Sequence, residues 1–442
     1  MKKTLALVLA LVMIVALAAC GVSTESAAPA ASSGDSQAAA PAAAKDGIRL
    51  FNGKIEIKEA MDHAAEAYTA ATGKKVTVES VGGGIDLQSQ LKQYWQAGNM
   101  PDIFVFEGAP DLANWTGMVV DMSDQAWAAD AVGAYVDDSG ATVGFPYTTE
   151  AIGLAYNKSI LEKAGVDPAS ITGPESMKAA FEKLDSMKDE LGITAVIGYC
   201  AEASSLYWST GQHLFGQYLD AGLARDDTTY FDLMMNEGKL DTERFTHFAE
   251  MVALFNKYSD PDLLVSGTYD NQVQGFAAGK YAFVTQGSWI GASMTNQYKD
   301  QYAAAGNFEC GYVPYCFEEG IDTILTSAPS HWAVYKDGNV AEAEAFLNWL
   351  AGPEGQQIMV QEGGCVSPFK SCTVVANDPF AGPMSTYVAA GKTSSWHWSG
   401  QPSNMAQEGT GVVFQQFAMG KLDVQGFVDT MAKVIPNYCP AK

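Results

Sequence analysis

The stretch "PDIFVFEG", residues 101–108, decides the fold. Ile103, Phe104, Val105 and Phe106 leave no face for water, which is the pattern of a strand covered on both sides. Upstream, Gly47 to Phe51 reads as a strand. Ile57, Met61, Ala64, Tyr68 and Ala71 then recur at spacings of 4, 3, 4 and 3, one face of a helix that Gly73 stops. "KKVTVESV" (74–81) is a second strand. "DLQSQLKQYWQAG" (86–98) is a helix capped by Asp86, with Leu87, Leu91, Tyr94 and Trp95 facing inward. This β-α-β-α-β order predicts an α/β protein with a mainly parallel sheet flanked by helices.

The rhythm returns downstream. "AIGLAYN" (151–157) is a strand, Ser159 and Glu162 form a capping box for the next helix, and Gly165 ends it. Helices are predicted from Pro174 to Leu191, from Asp241 with Phe245, Phe248, Val252 and Phe255 on one side, from Ala341 to Leu350, and from Met405 to about Ile435. "YAFVTQGSW" (281–289) and "HWAVYK" (331–336) are strands. The 442 residues are too many for one ordinary core and suit more than one domain.

At the other end, Lys2 and Lys3 precede an apolar run from Leu5 to Ala19. As a helix this run reaches roughly 22 Å, short of a ~30 Å hydrocarbon core, so it reads as a secretory signal rather than a membrane anchor. Leu17-Ala18-Ala19-Cys20-Gly21 resembles the lipobox of bacterial lipoproteins. The resemblance implies cleavage after residues 1–19, acylation of Cys20 and attachment to the outer face of a membrane. Residues 20–46 hold that cysteine and an Ala/Ser/Pro linker with a flexible reach of about 28 Å.

The formal net charge is −25, and loss of Lys2 and Lys3 makes it −27. Such a field repels nucleic acid and anionic lipid. Arg49, Arg225 and Arg244 are the only arginines, which disfavours an anionic ligand and favours a neutral or cationic one. Beyond Cys20, Cys200, Cys310, Cys316, Cys365, Cys372 and Cys439 form no C-x-x-C and no zinc spacing, and their pairing stays open. No metal and no cofactor is expected.

The richest chemical signal is aromatic. Trp208 in "SSLYWSTG", Trp289 at the end of "TQGSW", and Trp396 and Trp398 in "SSWHWSG" read as exposed rings near strand ends, where α/β sheets bind ligands. Aromatic planes suit the apolar faces of pyranose rings, and carboxylates such as Glu107 suit their hydroxyls. "GGGIDLQSQ" (82–90) lacks the lysine and spacing of a nucleotide loop. It suggests close backbone approach to a neutral ligand, with Asp86 or Gln88 reaching it, or Asp86 serves only as a cap. His63, His213 and His247 read as surface or satisfied core groups. No G-x-S-x-G elbow appears.

Four segments resemble the family 1 extracellular solute-binding proteins of carbohydrate ABC transporters, relatives of maltose-binding proteins. They are "QAGNMPDIFVFEG", "PYTTEAIGLAYNKSILEKAG", "FAAGKYAFVTQGSW" and "AEAEAFLNWLAGPEGQQ". The resemblance implies a two-lobed type II binding-protein fold with crossings near Glu150, Thr285 and His331. Residues 47–150 and 286–330 would form one lobe, and residues 151–285 and 331–442 the other. It implies a monomer that captures a sugar between the lobes and delivers it to a permease, and the several aromatics favour an oligosaccharide over a monosaccharide. By position Glu150 and Trp289 match cleft residues of that family, with Tyr207 and Trp208 a looser match. Glu107, Asp322, Trp396 and Trp398 follow by placement. The alternatives are a surface-anchored glycoside hydrolase and a binding protein for a cationic molecule such as a polyamine. Cys20→Ser is expected to abolish fatty-acid labelling and to leave the chain uncleaved or released, as read by membrane fractionation. Equal label in mutant and wild type would remove the anchor.

Overall fold

The computed structural model describes residues 47–82, 85–402 and 404–442. The residues read from sequence as leader, lipidated Cys20 and linker (1–46) lie outside the described residues. In chain order the strands are β1 (Ile48–Asn52), β2 (Val76–Ser80), β3 (Ile103–Phe106), β4 (Tyr135–Val136), β5 (Thr142–Pro146), β6 (Glu150–Ile152) and β7 (Leu154–Asn157). They continue as β8 (Ala195–Gly198), β9 (Tyr281–Val284), β10 (Cys310–Val313), β11 (Ile324–Ser327), β12 (His331–Val334) and β13 (Thr393–Ser394).

Three sheets result, ordered β2-β1-β3-β12-β5-β4, β10-β7-β9-β8 and β13-β11-β6. The "PDIFVFEG" stretch is the pivot of the first. All four residues of β3 are buried, and β3 is flanked by β1 in parallel and β12 in antiparallel register. Strand β12 also runs antiparallel to β5, so the sheet is mixed where the helix–strand rhythm predicts a mainly parallel one. Rhythm reports sequential neighbours only. It cannot show a strand inserted from more than 180 residues away.

Two hydrophobic cores flank the sheets. The first draws on Ile48 to Tyr147 and again on Trp332 to Phe369; the second on Ala151 to Leu325 and on Phe380 to Cys439. The chain therefore passes between cores at 147–151, 325–331 and 369–380. The first and second of these match the crossings expected near Glu150 and His331. The crossing expected near Thr285 does not occur, since β9 and Trp289 both belong to the second core. The expected partition is therefore exchanged for 286–325 and 332–369, while residues 380–439 pack in the second core as the expected boundaries have them. Residues 286–325 pack in the second core. Residues 332–369 pack in the first, because Trp332 stacks on Tyr147 with ring centroids 4.3 Å apart.

Local signals set the element ends. Gly73, Gly165 and Gly238 end their helices in the left-handed conformation. The helix after β7 is capped by the Asn157 side chain, which accepts from Ile160 N–H at 3.2 Å, not by the expected Ser159 box. Trp95, expected inward, is 46% exposed. Cys200, Cys310, Cys316, Cys365, Cys372 and Cys439 are all free thiols. No described helix is long and apolar enough to cross a membrane.

Gly153 lies where the chain leaves the three-stranded sheet for the four-stranded one. A Cβ there would meet Ile324 Cγ2 at 2.8 Å and Tyr312 Cβ at 3.0 Å. Gly153→Val is expected to cost about 1–3 kcal/mol of stability by overpacking. A thermal melt should show Tm lowered by a few degrees; an unchanged Tm would mean that the two sheets can move apart at this joint.

Candidate functional site

A cavity of about 450 Å³ opens between the two cores. That volume lies in the range of small-molecule sites. From the first core come the turn after β1 (Gly53 to Glu56), the start of the helix Leu87–Gln96, and Glu107 at the end of β3. The second core supplies Tyr207, Trp208, His213, Trp289 and Trp398. Of the residues expected from sequence, Asp86, Glu107, Glu150, Tyr207, Trp208, Trp289 and Trp398 border the cavity.

Two do not. Asp322 is well exposed in the loop before β11 and pairs with Lys392 at 3.1 Å, so solvent and not the cleft holds its carboxylate. Trp396 is 3% exposed and stands one layer back, its ring 5.4 Å from Trp398 and 6.0 Å from His213. The rings expected to be exposed are mostly enclosed. Trp289 is 7% and Trp398 2% exposed, while Tyr207 and Trp208 are partly buried. Trp289 donates its Nε1–H to Gln286 at 3.0 Å. Its ring lies so close over Gly287 that a Cβ there would fall 2.1 Å from Cζ3.

The aromatic wall centres on His213, which sequence reasoning set aside. Its ring lies 4.9 Å from Trp289, 4.8 Å from Trp398 and 5.2 Å from Trp208. Burial, with a smaller push from Lys54, lowers its pKa to about 3, so the imidazole is neutral at ordinary pH. His213 sits in a π-type turn, Ser209–Leu214. Such turns recur at functional sites.

The floor is charged. Lys54 Nζ pairs with Glu150 Oε1 and lies 4.0 Å from Glu56 Oε2. Burial opposes the Lys54 ammonium, yet Glu150 and Glu56 more than offset it and the Lys54 pKa is raised. Burial raises the Glu150 carboxyl, with Lys54 pulling the other way. Glu107 is raised by burial, then by Asp111 and Glu150. Tyr207 faces this acidic side across the cleft, and burial followed by Glu107 pushes its phenol up to about 12. Asp86 caps its helix, accepting from Ser89 N–H at 2.9 Å.

Several polar atoms at the cavity are buried and have no hydrogen-bond partner among the described residues: Gln88 Nε2, Gln401 Oε1, His213 Nδ1 and Trp398 Nε1. Trp115 Nε1–H fixes Gln88 by donating to its Oε1 at 2.8 Å. An unpaired buried polar atom costs about 1–3 kcal/mol, so donors and acceptors brought by a ligand would relieve that cost. The arginines are engaged elsewhere. Arg49 binds Asn99, Arg225 reaches Thr326 and the Ser394 carbonyl, and Arg244 is buried against Glu318. Lys54 and His213 carried no sequence signal of their own, apart from the place of "NGK" just past β1.

The family of bacterial extracellular solute-binding proteins matches residues 63–381. The melibiose/raffinose/stachyose-binding protein MelE of Bacillus subtilis is 23% identical over 292 residues. That match covers 63% of each chain, so the alignment spans less than two thirds of this relative's length. Among solved structures, a Bacillus licheniformis sugar transporter in complex with stachyose superposes with a TM-score of 0.68 at 17% identity, covering 88% of this chain and 98% of the other. A chitin oligosaccharide binding protein superposes with a TM-score of 0.72 at 18% identity, covering 89% and 98%. These likenesses establish a two-lobed type II binding-protein fold.

Lys54→Met is expected to leave Glu150 buried and unpaired, at a cost of about 3–5 kcal/mol. Lys54→Met combined with Glu150→Gln should recover part of that loss in a double-mutant cycle read by denaturant unfolding. Additive losses would show that the two side chains act independently.

Proposed function

Because the chain belongs to the bacterial extracellular solute-binding proteins, we propose that it captures an oligosaccharide in this cleft and hands it to an ABC transporter permease. The observation that carries the reading is the pairing of an aromatic wall with unpartnered amide, imidazole and indole groups in one cavity. Sugar rings offer apolar faces to the first and hydroxyls to the second. The names of the relatives, which bind raffinose, stachyose and chitin oligosaccharides, support the same class. The arginines lie outside the cavity lining and Lys54 is engaged by carboxylates, which argues against an anionic ligand. Ligand bridging both cores favours a closed form by its added contacts, and a permease would read that form. Acylation at Cys20 would hold the monomer on the outer membrane face, with the 20–46 linker as tether.

A second reading has one observation behind it. A carboxyl raised by burial, such as Glu107, beside other acids is the setting of a glycosidase general acid. Binding and hydrolysis separate in one assay. Purified protein with raffinose, stachyose or chitotetraose should show heat of binding and release no reducing ends; turnover would overturn the transport reading. Spermidine in the same panel tests the cationic alternative. A ligand at 100 times its Kd should add about 2.7 kcal/mol of stability. Trp208→Ala, at the partly open edge of the aromatic wall, is expected to weaken sugar binding by about 2 kcal/mol, roughly 30-fold in Kd, with Tm little changed.

A further inference from the structure

Trp398 reaches the cleft from a short loop, and one helix grips that loop at two points. The helix Phe215–Asp220 passes so close beneath Trp398 that a Cβ at Gly216 would lie 2.5 Å from Trp398 Cδ1. Four residues on, Asp220 holds His397. The His397 backbone N–H donates to Asp220 Oδ2 at 3.1 Å, and His397 Nδ1 lies 2.6 Å from Asp220 Oδ1. Asp220 is 1% exposed. The same loop touches the first core, since a Cβ at Gly108 would fall 2.3 Å from the Ser399 carbonyl oxygen.

We propose that the His397–Asp220 pair is a pH-dependent positioning device for Trp398, holding its ring against the cleft while the imidazole is protonated and loosening it when the proton leaves. The device rests on the cleft reading above for its consequence in binding, but not for its existence. The groups facing His397 are Asp220 from the helix, Arg225 from the turn after it, Asp227, and Asp232 from the helix Thr229–Glu237. The hydrogen bond to Asp220 is the main cause raising the His397 pKa above its ordinary 6.5, with burial opposing it. A raised histidine contributes fully below its unfolded value, and its contribution is lost as pH rises through the folded one. Burial raises the Asp220 carboxyl and the contact with His397 opposes that rise, so the pair is held together most firmly above the raised pKa of Asp220 and below the raised pKa of His397.

The first measurement needs no ligand. The fluorescence of Trp398, taken as the difference between wild type and Trp398→Phe, is followed from about pH 6 to 9. A single transition above pH 6.5 is expected, and it should vanish in His397→Gln, which keeps a neutral donor to Asp220. Asp220→Asn is the companion variant and should also flatten the curve. The second measurement is calorimetric Kd with raffinose, stachyose and chitotetraose over the same range. Affinity of wild type should fall about tenfold as pH rises, because a charged hydrogen bond gives way to a neutral one. Glu107 also titrates in the cleft, so the quantity compared is the difference between wild type and His397→Gln. A flat Trp398 signal, or a transition retained in His397→Gln, overturns the proposal. If no sugar binds while the fluorescence transition is present, the oligosaccharide reading fails and the positioning device stands.

Discussion

A buried ammonium held by two carboxylates sits where the two cores meet, and the cleft is built around it. Lys54 follows β1 of the first core, and Glu150 opens β6 at the first crossing. Glu56, two residues on, accepts from the Tyr269 hydroxyl of the second core at 2.9 Å. One knot thus ties a strand end, a crossing segment and the far wall. Burying these charges is costly, and a well-packed apolar trio could match its stability. Apolar side chains would lack direction, however. The ion pair fixes where the turn after β1 stands relative to β6, and so fixes the cavity floor.

Above that floor the walls differ in kind. The first core contributes carboxylates and amides on strand and helix ends, and the second contributes inclined indole rings around a neutral imidazole. Rings at 52–66° to one another make a box and not a flat platform. A box selects for shape on several sides at once. Neutral His213 lets that box stay unchanged in charge across ordinary pH, and the titrating pair lies one layer behind it at His397.

Much of this was legible in the residues. Apolar runs located the strands, spacing located the helices, and glycines marked the ends, because those features are set by local sterics and burial. Glu107, Trp208, Trp289 and Trp398 at the cavity were legible from strand-end position, Asp86 from the glycine-rich turn before its helix, and Glu150 from the family resemblance. What failed was long-range. Nothing around Thr285 distinguishes a strand that continues in its own lobe from one that crosses. Nothing in "HWAVYK" says that β12 belongs between β3 and β5. Asp322 and Trp396 have the right chemistry, but their layer depends on how distant loops pack. Lys54 was hidden for the opposite reason. A lysine after a strand usually looks to water, and only the folded chain brings Glu150 and Glu56 to it.

The position of β12 has a kinetic consequence. The first sheet has a gap between β3 and β5 until residues 331–334 arrive. During synthesis, residues 147–330 take on the order of 10–40 s at about 5–20 residues per second. For that interval β3 and β5 offer each other no direct pairing, and two apolar edges wait for a central strand. Closure of the sheet is a non-local event that carries the loop entropy of the whole second core's first segment. The half nearest the start of the chain therefore cannot close until residues 331–369 have emerged, and the second core in turn waits for residues 380–439.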